Sequence, residues 1–188
     1  MSIIGDKDQD QAQVDDFTPS LVTLSEEHWM SHKGFMYAIT GKETGLLNAG
    51  VEEFIISVPA NSYPHIQRLT LGFGRGDVDV ETYEGTITSA DGTEMTNVQN
   101  TNRNSINTPD TTLYSGPTIT DDGTLIHSAW APPTATGTGQ SANGATGSVT
   151  GEEWVLKPNT KYLVRITNNS GATIDWTYAF LWYEIGIY

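Results

Sequence analysis

From Phe35 to Glu184 the chain is a series of short runs rich in β-branched and aromatic residues, separated by turn-forming groups such as Asp121-Asp122-Gly123. Runs of this kind, with no helical segments between them, are typical of antiparallel strands. The runs are FMYAIT, VEEFIISVP, HIQRLTLGF, VDVETYEG, TTLYSGPTIT, TLIHSAW, EEWVLK, KYLVRIT and ATIDWTYAFLWYE. They predict an all-β fold, an antiparallel β-sandwich of jelly-roll-like type with about nine or ten strands, and they exclude a parallel α/β fold.

The last run carries the densest apolar pattern. Every second residue from Ile174 to Trp182 is large and mostly apolar, and side chains alternate between the two faces of a strand. This pattern predicts a core face that includes Trp176, on a strand that forms a hairpin with residues 161–167 through a turn at 168–171. We interpret the stretch mainly as core, with a sugar-binding platform or a subunit interface as alternatives. We expect Tyr183 and the chain end to remain free for contacts.

A single short helix is predicted over SEEHWMSHKG, where Ser25 can serve as the N-cap and Gly34 as the stop. His28 and His32 are four residues apart and therefore share one face of this helix. A zinc-protease helix would need a glutamate directly after the first histidine, and Trp29 occupies that position. We interpret the two histidines as surface residues beside a packed tryptophan.

Length and charge limit the class of protein. The 188 residues suffice for one domain with a hydrophobic core, which we assign to residues 21–188. The net charge of −14 argues against binding to a nucleic-acid backbone, and an electrostatic partner should be basic. The sequence has no cysteine, no signal-peptide pattern and no apolar run long enough for a membrane helix. We therefore expect synthesis in a reducing cytoplasm and no binding to membranes.

Residues 1–20 differ in composition from the rest of the chain and are predicted to form a flexible acidic arm. A single lysine accompanies the aspartates of this segment, which are Asp6, Asp8, Asp10, Asp15 and Asp16. A calcium loop that begins at Asp6 would need glycine at its sixth position and glutamate at its twelfth, where the sequence has Gln11 and Phe17. We therefore predict that the aspartates and Phe17 bind a partner rather than a metal.

The sequence offers no catalytic constellation, so we expect a protein that is not an enzyme and uses no cofactor or metal. The closest approach to a nucleophile elbow, around Ser141, lacks its final glycine and lies in a Gly-rich stretch. Asp77, Asp79 and Glu81 alternate along one predicted strand and could chelate calcium, but a solvated strand face is the simpler interpretation. The tripeptide Arg75-Gly76-Asp77 matches a cell-adhesion motif, which we interpret as a chance match in a Gly-rich turn.

Two long segments are predicted to be exposed loops, where binding sites are often found. Residues 96–111 contain five asparagines, whose side chains favour turns. Residues 132–152 are rich in glycine, threonine, serine and alanine and cannot bury themselves.

The order of several segments resembles that of a family of phage proteins. NAGVEEFIISVP is followed by YPHIQRLTL, ETYEGT and SADGT, and then by NTNRNS, TTLYSGPTITDDGTLI, a Gly-rich stretch, EEWVLKPNTKYLVRITNNSGATID and WYE. Over residues 35–184 this order resembles the head decoration, or cement, proteins of tailed bacteriophages that have a jelly-roll fold.

The resemblance implies a structural virion protein without catalytic residues. It also implies a homotrimer that binds the major capsid protein on the outer surface of the capsid, after synthesis in the host cytoplasm. Residues 1–20 lie outside the resemblance. The alternative that the residues leave open is a carbohydrate-binding or adhesion module of a phage fibre or spike, which should expose tryptophan or tyrosine near one of the two long loops.

The acidic arm is a candidate anchor to the capsid, through charge pairing and strand addition. Deletion of residues 1–20 should leave the melting temperature of the domain nearly unchanged, because the arm adds little to the core. The deletion should weaken capsid binding and reduce the salt dependence of the binding that remains. Cosedimentation with capsids at low and high salt measures both effects, and equal binding by the truncated and full-length chains at both salt concentrations would exclude the arm as the anchor.

Overall fold

The computed structural model describes residues 25–132 and 154–184 with their side chains, and the backbone alone of residues 2–5, 11–14, 21–23, 146–149 and 185–186. These parts contain one helix, α1 (Glu26–Lys33), and seventeen strands. In chain order the strands are β1 (Ser2–Gly5), β2 (Gln11–Val14), β3 (Leu21–Thr23), β4 (Met36–Leu46), β5 (Val51–Val58), β6 (Ser62–Phe73), β7 (Val78–Glu84), β8 (Ile87–Ala90), β9 (Thr93–Glu94), β10 (Gln99–Asn100), β11 (Thr112–Ser115), β12 (Thr118–Asp121), β13 (Thr124–Ala131), β14 (Thr146–Val149), β15 (Trp154–Val155), β16 (Thr160–Asn168) and β17 (Ile174–Gly186).

Two six-stranded antiparallel sheets form the sandwich. The strand order in sheet I is β10-β4-β17-β6-β14, and β15 also pairs with β6. The order in sheet II is β13-β7-β16-β5-β11-β9. The chain passes back and forth between the sheets, so that strands close in sequence lie in opposite layers and β17 lies between β4 and β6. This nested order confirms the predicted all-β, jelly-roll-like sandwich, but the predicted number of nine or ten strands is too low, because the described residues form seventeen.

The core lies between the sheets, and β17 supplies its largest side chains. The buried residues of its inner face are Ile174, Trp176, Phe180 and Trp182, with Tyr178 packed against them. Trp176 is 2% exposed and contacts the rings of Phe54 and Phe73, with ring centroids 5.5 and 6.4 Å away. The predicted core face of the last strand is confirmed.

The predicted hairpin between residues 161–167 and 172–184 is wrong. β16 pairs with β5 and β7 in sheet II, whereas β17 pairs with β4 and β6 in sheet I. The connection is a corner held by the buried Asn168, whose Nδ2 donates to the carbonyls of Leu46, Leu47 and Ala172 at 2.9, 3.0 and 2.8 Å. Each strand buries one face in either arrangement, so the apolar pattern does not distinguish a corner from a hairpin.

The expectation that Tyr183 remains free for contacts is also wrong. Tyr183 is 1% exposed and stacks on His65, with the ring centroids 4.5 Å apart. The register of β17 against β6 shifts between Leu181 and Trp182, and α1 packs against β4 and β17 on the outer side of sheet I. At this end of β17, consecutive residues are buried on both faces of the strand, Trp182 and Glu184 on one and Tyr183 on the other.

Glu184 is buried as well and ties the segment 96–111 to sheet I. Its carboxylate accepts hydrogen bonds from the backbone N–H groups of Asp110 and Thr111 at 2.7 and 3.0 Å and from Trp182 Nε1 at 2.9 Å. These three donors replace water around the carboxylate, which makes its burial tolerable. Burial, and then the charges of Glu184 and Asp110, raise the pKa of the neighbouring Tyr37 to about 12.

The predicted helix is confirmed, and the asparagine-rich segment completes its end. The Ser25 side chain accepts from the N–H of His28, and Gly34 has the left-handed φ of 75° that ends a helix. Asn100 Nδ2 and Asn107 Nδ2 donate to the Gly34 carbonyl at 2.8 and 3.1 Å. These two asparagines therefore have a structural role.

Two other segments differ from the predicted runs. TTLYSGPTIT turns at Gly116, where φ is 62°, and forms β11 in sheet II and then β12, which pairs with β8 in a separate two-stranded ribbon. We call this the β8–β12 ribbon. Within 132–152, the backbone of 146–149 forms β14 beside β6, while residues 133–145 and 150–153 lie outside the described residues. No helix in the described parts is long and apolar enough to cross a membrane.

Trp176→Ala should reduce the free energy of unfolding by about 3–5 kcal/mol, because it leaves a cavity between the two sheets. Urea denaturation followed by circular dichroism measures the change. Thr177→Ala, at the exposed neighbouring position, is the control and should alter stability by less than about 0.5 kcal/mol. Equal stabilities for the two variants would contradict the assignment of Trp176 to the core.

Candidate interaction surface

The predicted partner-binding residues Asp6, Asp8, Asp10, Asp15, Asp16 and Phe17 lie outside the described residues. Around them, the backbones of β1, β2 and β3 form a three-stranded antiparallel sheet that pairs with no other described strand. The flexibility of the arm and the role of its aspartates therefore stay predictions.

His28 and His32 lie on one exposed face of α1, with their Nε2 atoms 2.9 Å apart. Within residues 25–132 and 154–184, no group of three His, Asp or Glu side chains is placed to hold a metal ion. Trp29 is only partly buried, and Lys33 Nζ lies 4.4 Å from the centroid of one of its rings. The two histidines thus contact each other on the helix surface.

The acidic residues Asp77, Asp79 and Glu81 do not converge on a common point. Asp77 Oδ1 accepts a hydrogen bond from Trp130 Nε1 at 3.1 Å, and Asp79 Oδ2 accepts one from Asn169 Nδ2 at 2.8 Å. Each of the three carboxylates accepts from a different side chain. These contacts suit an open polar surface rather than a calcium cage.

Trp130 is 57% exposed, more than any other described aromatic residue. It lies on β13, the end strand of sheet II, directly opposite Asp79 on β7. Since the neighbours of Asp79 along β7 are buried valines, Asp79 and Trp130 lie on the outer face of the sheet. We call the group Trp130, Asp77, Asp79 and Asn169 the Trp130 surface.

The row that contains Trp130 continues across sheet II. Thr167 on β16 lies opposite Asp79, and Val51 on β5 lies opposite Thr167. Val51 is exposed, and adjacent strands are about 4.8 Å apart, so two apolar side chains lie roughly 14 Å apart with polar groups between them. An exposed tryptophan in such a setting is the kind of residue that anchors protein interfaces.

Farther along the same face, the β8–β12 ribbon is linked to sheet II through Arg165. Its guanidinium donates to both carboxylate oxygens of Asp122 at 2.6 and 2.8 Å and to Glu53 Oε1 at 2.8 Å. The guanidinium carbon lies 5.3 Å from the centroid of the Tyr83 ring. A bidentate, partly buried arrangement of this kind holds two elements in a fixed geometry.

A second link joins the ribbon to β16 next to a buried apolar pair. Lys161 Nζ contacts the carboxylate of Asp91, the residue that directly follows β8. Lys161, Leu163 and Arg165 share the outer face of β16. Leu163 and Ile55, which lie opposite each other on that face, are both 0% exposed. The two links therefore flank Leu163 on β16, and the row of Trp130 lies beyond them and keeps its exposed ends, Trp130 and Val51.

The ion pairs shift the pKa values of their carboxyl groups. The hydrogen bonds from Arg165 lower the pKa of Asp122, and the hydrogen bond from Lys161 lowers the pKa of Asp91. Asp122 in turn raises the pKa of Arg165 above its usual range. Both links are therefore charged at neutral pH and weaken in acid.

Two apolar cavities of about 50 Å³ each lie between the sheets. Their walls share Ile56, Leu69, Val164 and Phe180. A water molecule occupies about 30 Å³ in the liquid, so each cavity is no larger than one or two waters. Their size and apolar walls suit small packing gaps, and the candidate site is therefore on the surface.

Part of this site could have been found from the sequence. In the run TLIHSAW, Trp130 shares a strand face with the polar Ser128, which marks that face as solvated. No local pattern connects Arg165 with Asp122, which is 43 residues away, so the link to the ribbon had no sequence signal.

Comparison with known proteins found no family model and no curated protein that matches this chain. Neither comparison therefore supplies a family or a function for the chain.

Asp122→Asn should destabilise the protein at neutral pH, and the difference from the unsubstituted protein should shrink in acid. The pKa of Asp122 is lower in the folded protein, so its contribution is full above the unfolded value of about 3.9 and is lost as the pH falls through the folded value. Urea denaturation of both proteins between pH 7 and pH 2 measures how this difference in the free energy of unfolding changes with pH. The control, Asp121→Asn, removes the same charge but leaves the hydrogen bonds of Arg165 intact, so it should lower the free energy of unfolding at pH 7 by a smaller amount. If Asp122→Asn lowers the free energy of unfolding equally at every pH, the proposed role of the ion pair is wrong.

Proposed function

We propose that this protein is a non-enzymatic structural virion protein that binds the outside of a tailed-phage capsid and stabilises or decorates it. The observation that carries the proposal is the position of the family-like segments in the fold. VEEFIISVP forms β5, YPHIQRLTL lies in β6, ETYEGT ends β7 and KYLVRIT lies in β16, all strands of one jelly-roll-like sandwich. The decoration proteins that the sequence resembles have a fold of this type.

Charge supports a protein partner of opposite sign. The chain carries 23 acidic and 9 basic residues, so a basic groove of the major capsid protein would attract it, whereas a nucleic acid would repel it. The outer face of sheet II adds an exposed tryptophan among carboxylates. In this proposal the protein acts as a homotrimer, because several weak contacts per subunit then add to a tight attachment.

A carbohydrate-binding or adhesion module of a phage fibre or spike is the second candidate function. The observation that favours it is the exposure of Trp130, two residues before the Gly-rich segment 132–152. An exposed aromatic ring next to such a segment is the feature that we expected of a sugar-binding module. The polar groups around the ring could donate and accept hydrogen bonds to hydroxyl groups.

The test combines the purified full-length chain with undecorated capsids assembled from the major capsid protein that is encoded in the same genome. We expect the chain to cosediment with capsids in a saturable manner, to form a trimer by light scattering and to add density to the outer capsid surface in electron microscopy. A glycan array is the matched comparison for the second candidate. Binding to glycans, with no binding to capsids at low salt, would overturn the decoration function in favour of the adhesion module.

A further inference from the structure

We propose that the Trp130 surface binds an arginine-bearing basic segment of a protein partner, with a guanidinium group stacked on the indole ring and hydrogen-bonded to the aspartates. The inference rests on the proposed function in one respect only, namely that the partner would then be the capsid protein. The surface and its chemistry are independent of that identity.

The indole ring is held in place, although more than half of the residue is exposed. Its one donor, Nε1, is bound to Asp77 Oδ1 at 3.1 Å, and its neighbour Ala129 packs against the core. Asp77 has a left-handed φ of 70°, and its backbone N–H donates to the carbonyl of Ala131 at 2.6 Å. A ring that is fixed in advance loses little conformational freedom when a partner binds to its face.

The carboxylates around the ring keep capacity for a cation. Asp77 and Asp79 each use one oxygen for a side-chain donor, Trp130 or Asn169, and the other oxygen has no hydrogen-bond partner among the described residues. Arg165, on the next row of the same face, is already hydrogen-bonded to Glu53 and Asp122, so it does not neutralise Asp77 or Asp79. The surface therefore presents an aromatic face with two incompletely used carboxylates beside it.

Guanidinium fits this combination better than the other chemical groups of a partner. It is planar, stacks on indole rings through a cation–π interaction and donates in parallel to carboxylate oxygens. The strand spacing of about 4.8 Å between Trp130 and Asp79 matches the reach of one such group. A neutral sugar would also stack on the ring, but it would not use the negative charge of the site or of a chain with a net charge of −14.

Val51 extends the site beyond a single arginine. It is exposed at the other end of the row, across Asp79 and Thr167. A segment that crosses the strands could place its arginine on Trp130 and an apolar side chain on Val51. The partner is therefore an amphipathic basic segment rather than a single cation.

The first experiment uses the isotope-labelled full-length chain and observes the indole N–H signal of Trp130 by NMR, assigned with Trp130→Phe. The probes are two ten-residue peptides of glycine, serine and either three arginines or three glutamates. We expect the arginine peptide to shift the Trp130 signal, with an affinity that falls as salt rises, and the glutamate peptide to have no effect. A Trp130 signal that does not move with the arginine peptide, or that moves with glycans instead, overturns the proposal.

Variants test the two components of the site separately. Trp130→Ala should weaken binding of the arginine peptide by about 3- to 30-fold, the range expected for a cation–π contact, and Trp130→Phe should retain most of the affinity. Asp79→Asn should weaken binding and reduce its salt dependence. The controls are Leu125→Ala, at an exposed apolar position on the same strand, and Glu27→Gln, which removes one exposed charge on α1; neither should change the affinity.

The capsid assay separates this inference from the proposed function. If the unsubstituted chain binds capsids and Trp130→Ala binds them less tightly than Leu125→Ala does, the inference holds in the setting of the proposed function. If Trp130→Ala and the unsubstituted chain bind capsids equally, the surface is not the attachment site, and the inference fails while the proposed function stands. If the unsubstituted chain does not bind capsids, the proposed function fails, and the peptide titration still decides the chemistry of the surface.

Discussion

Burial of the inner face of β17 is the constraint on which the rest of the structure depends. β4 and β6 do not pair with each other, so sheet I is continuous only through β17. The same strand turns Trp176 toward Phe54 of sheet II and thereby joins the two layers. Each large apolar side chain buried there contributes about 1.5–3 kcal/mol, whereas a surface ion pair contributes roughly 0.2–1 kcal/mol. The sandwich is therefore stabilised mainly by its aromatic core, and the ion pairs of the outer face position smaller elements on it.

Features that depend on nearby residues could be predicted from the sequence. Ser25 and Gly34 mark both ends of α1, and the period of two from Ile174 to Trp182 identifies the buried face of the last strand. Features that depend on which strands pair with each other could not be predicted from the sequence. The apolar pattern of β16 is the same whether it pairs with β17 or faces it across the core, and the alternation along β17 does not reveal that Tyr183 is buried beside His65. The candidate site shows the same division, since alternation marks Trp130 as outward-facing, while its hydrogen bond to Asp77 and its place opposite Asp79 come from the pairing of β13 with β7.

The two acidic features of the molecule suggest a division of roles in binding. On the flexible arm that the sequence predicts, charged groups would mainly increase the rate of encounter with a basic partner and would be sensitive to salt. An aromatic ring held on a rigid strand mainly lowers the rate of dissociation, because it is desolvated only in the complex. The Asp-rich segment at 6–16 and the Trp130 surface would thus act at different steps of the same association.

The place of β17 in sheet I also has a kinetic consequence. Its partners β4 and β6 lie far away in the sequence, so a large loop must close before the pairing of β17 with them can stabilise the folding chain. Sandwiches of this kind typically fold in milliseconds to seconds. Until β17 inserts, β4 and β6 each present an unpaired edge to other chains. Aggregation during synthesis at high concentration should therefore proceed by pairing between these edges, and conditions that give the chain more time to insert its last strand should increase the yield of folded protein.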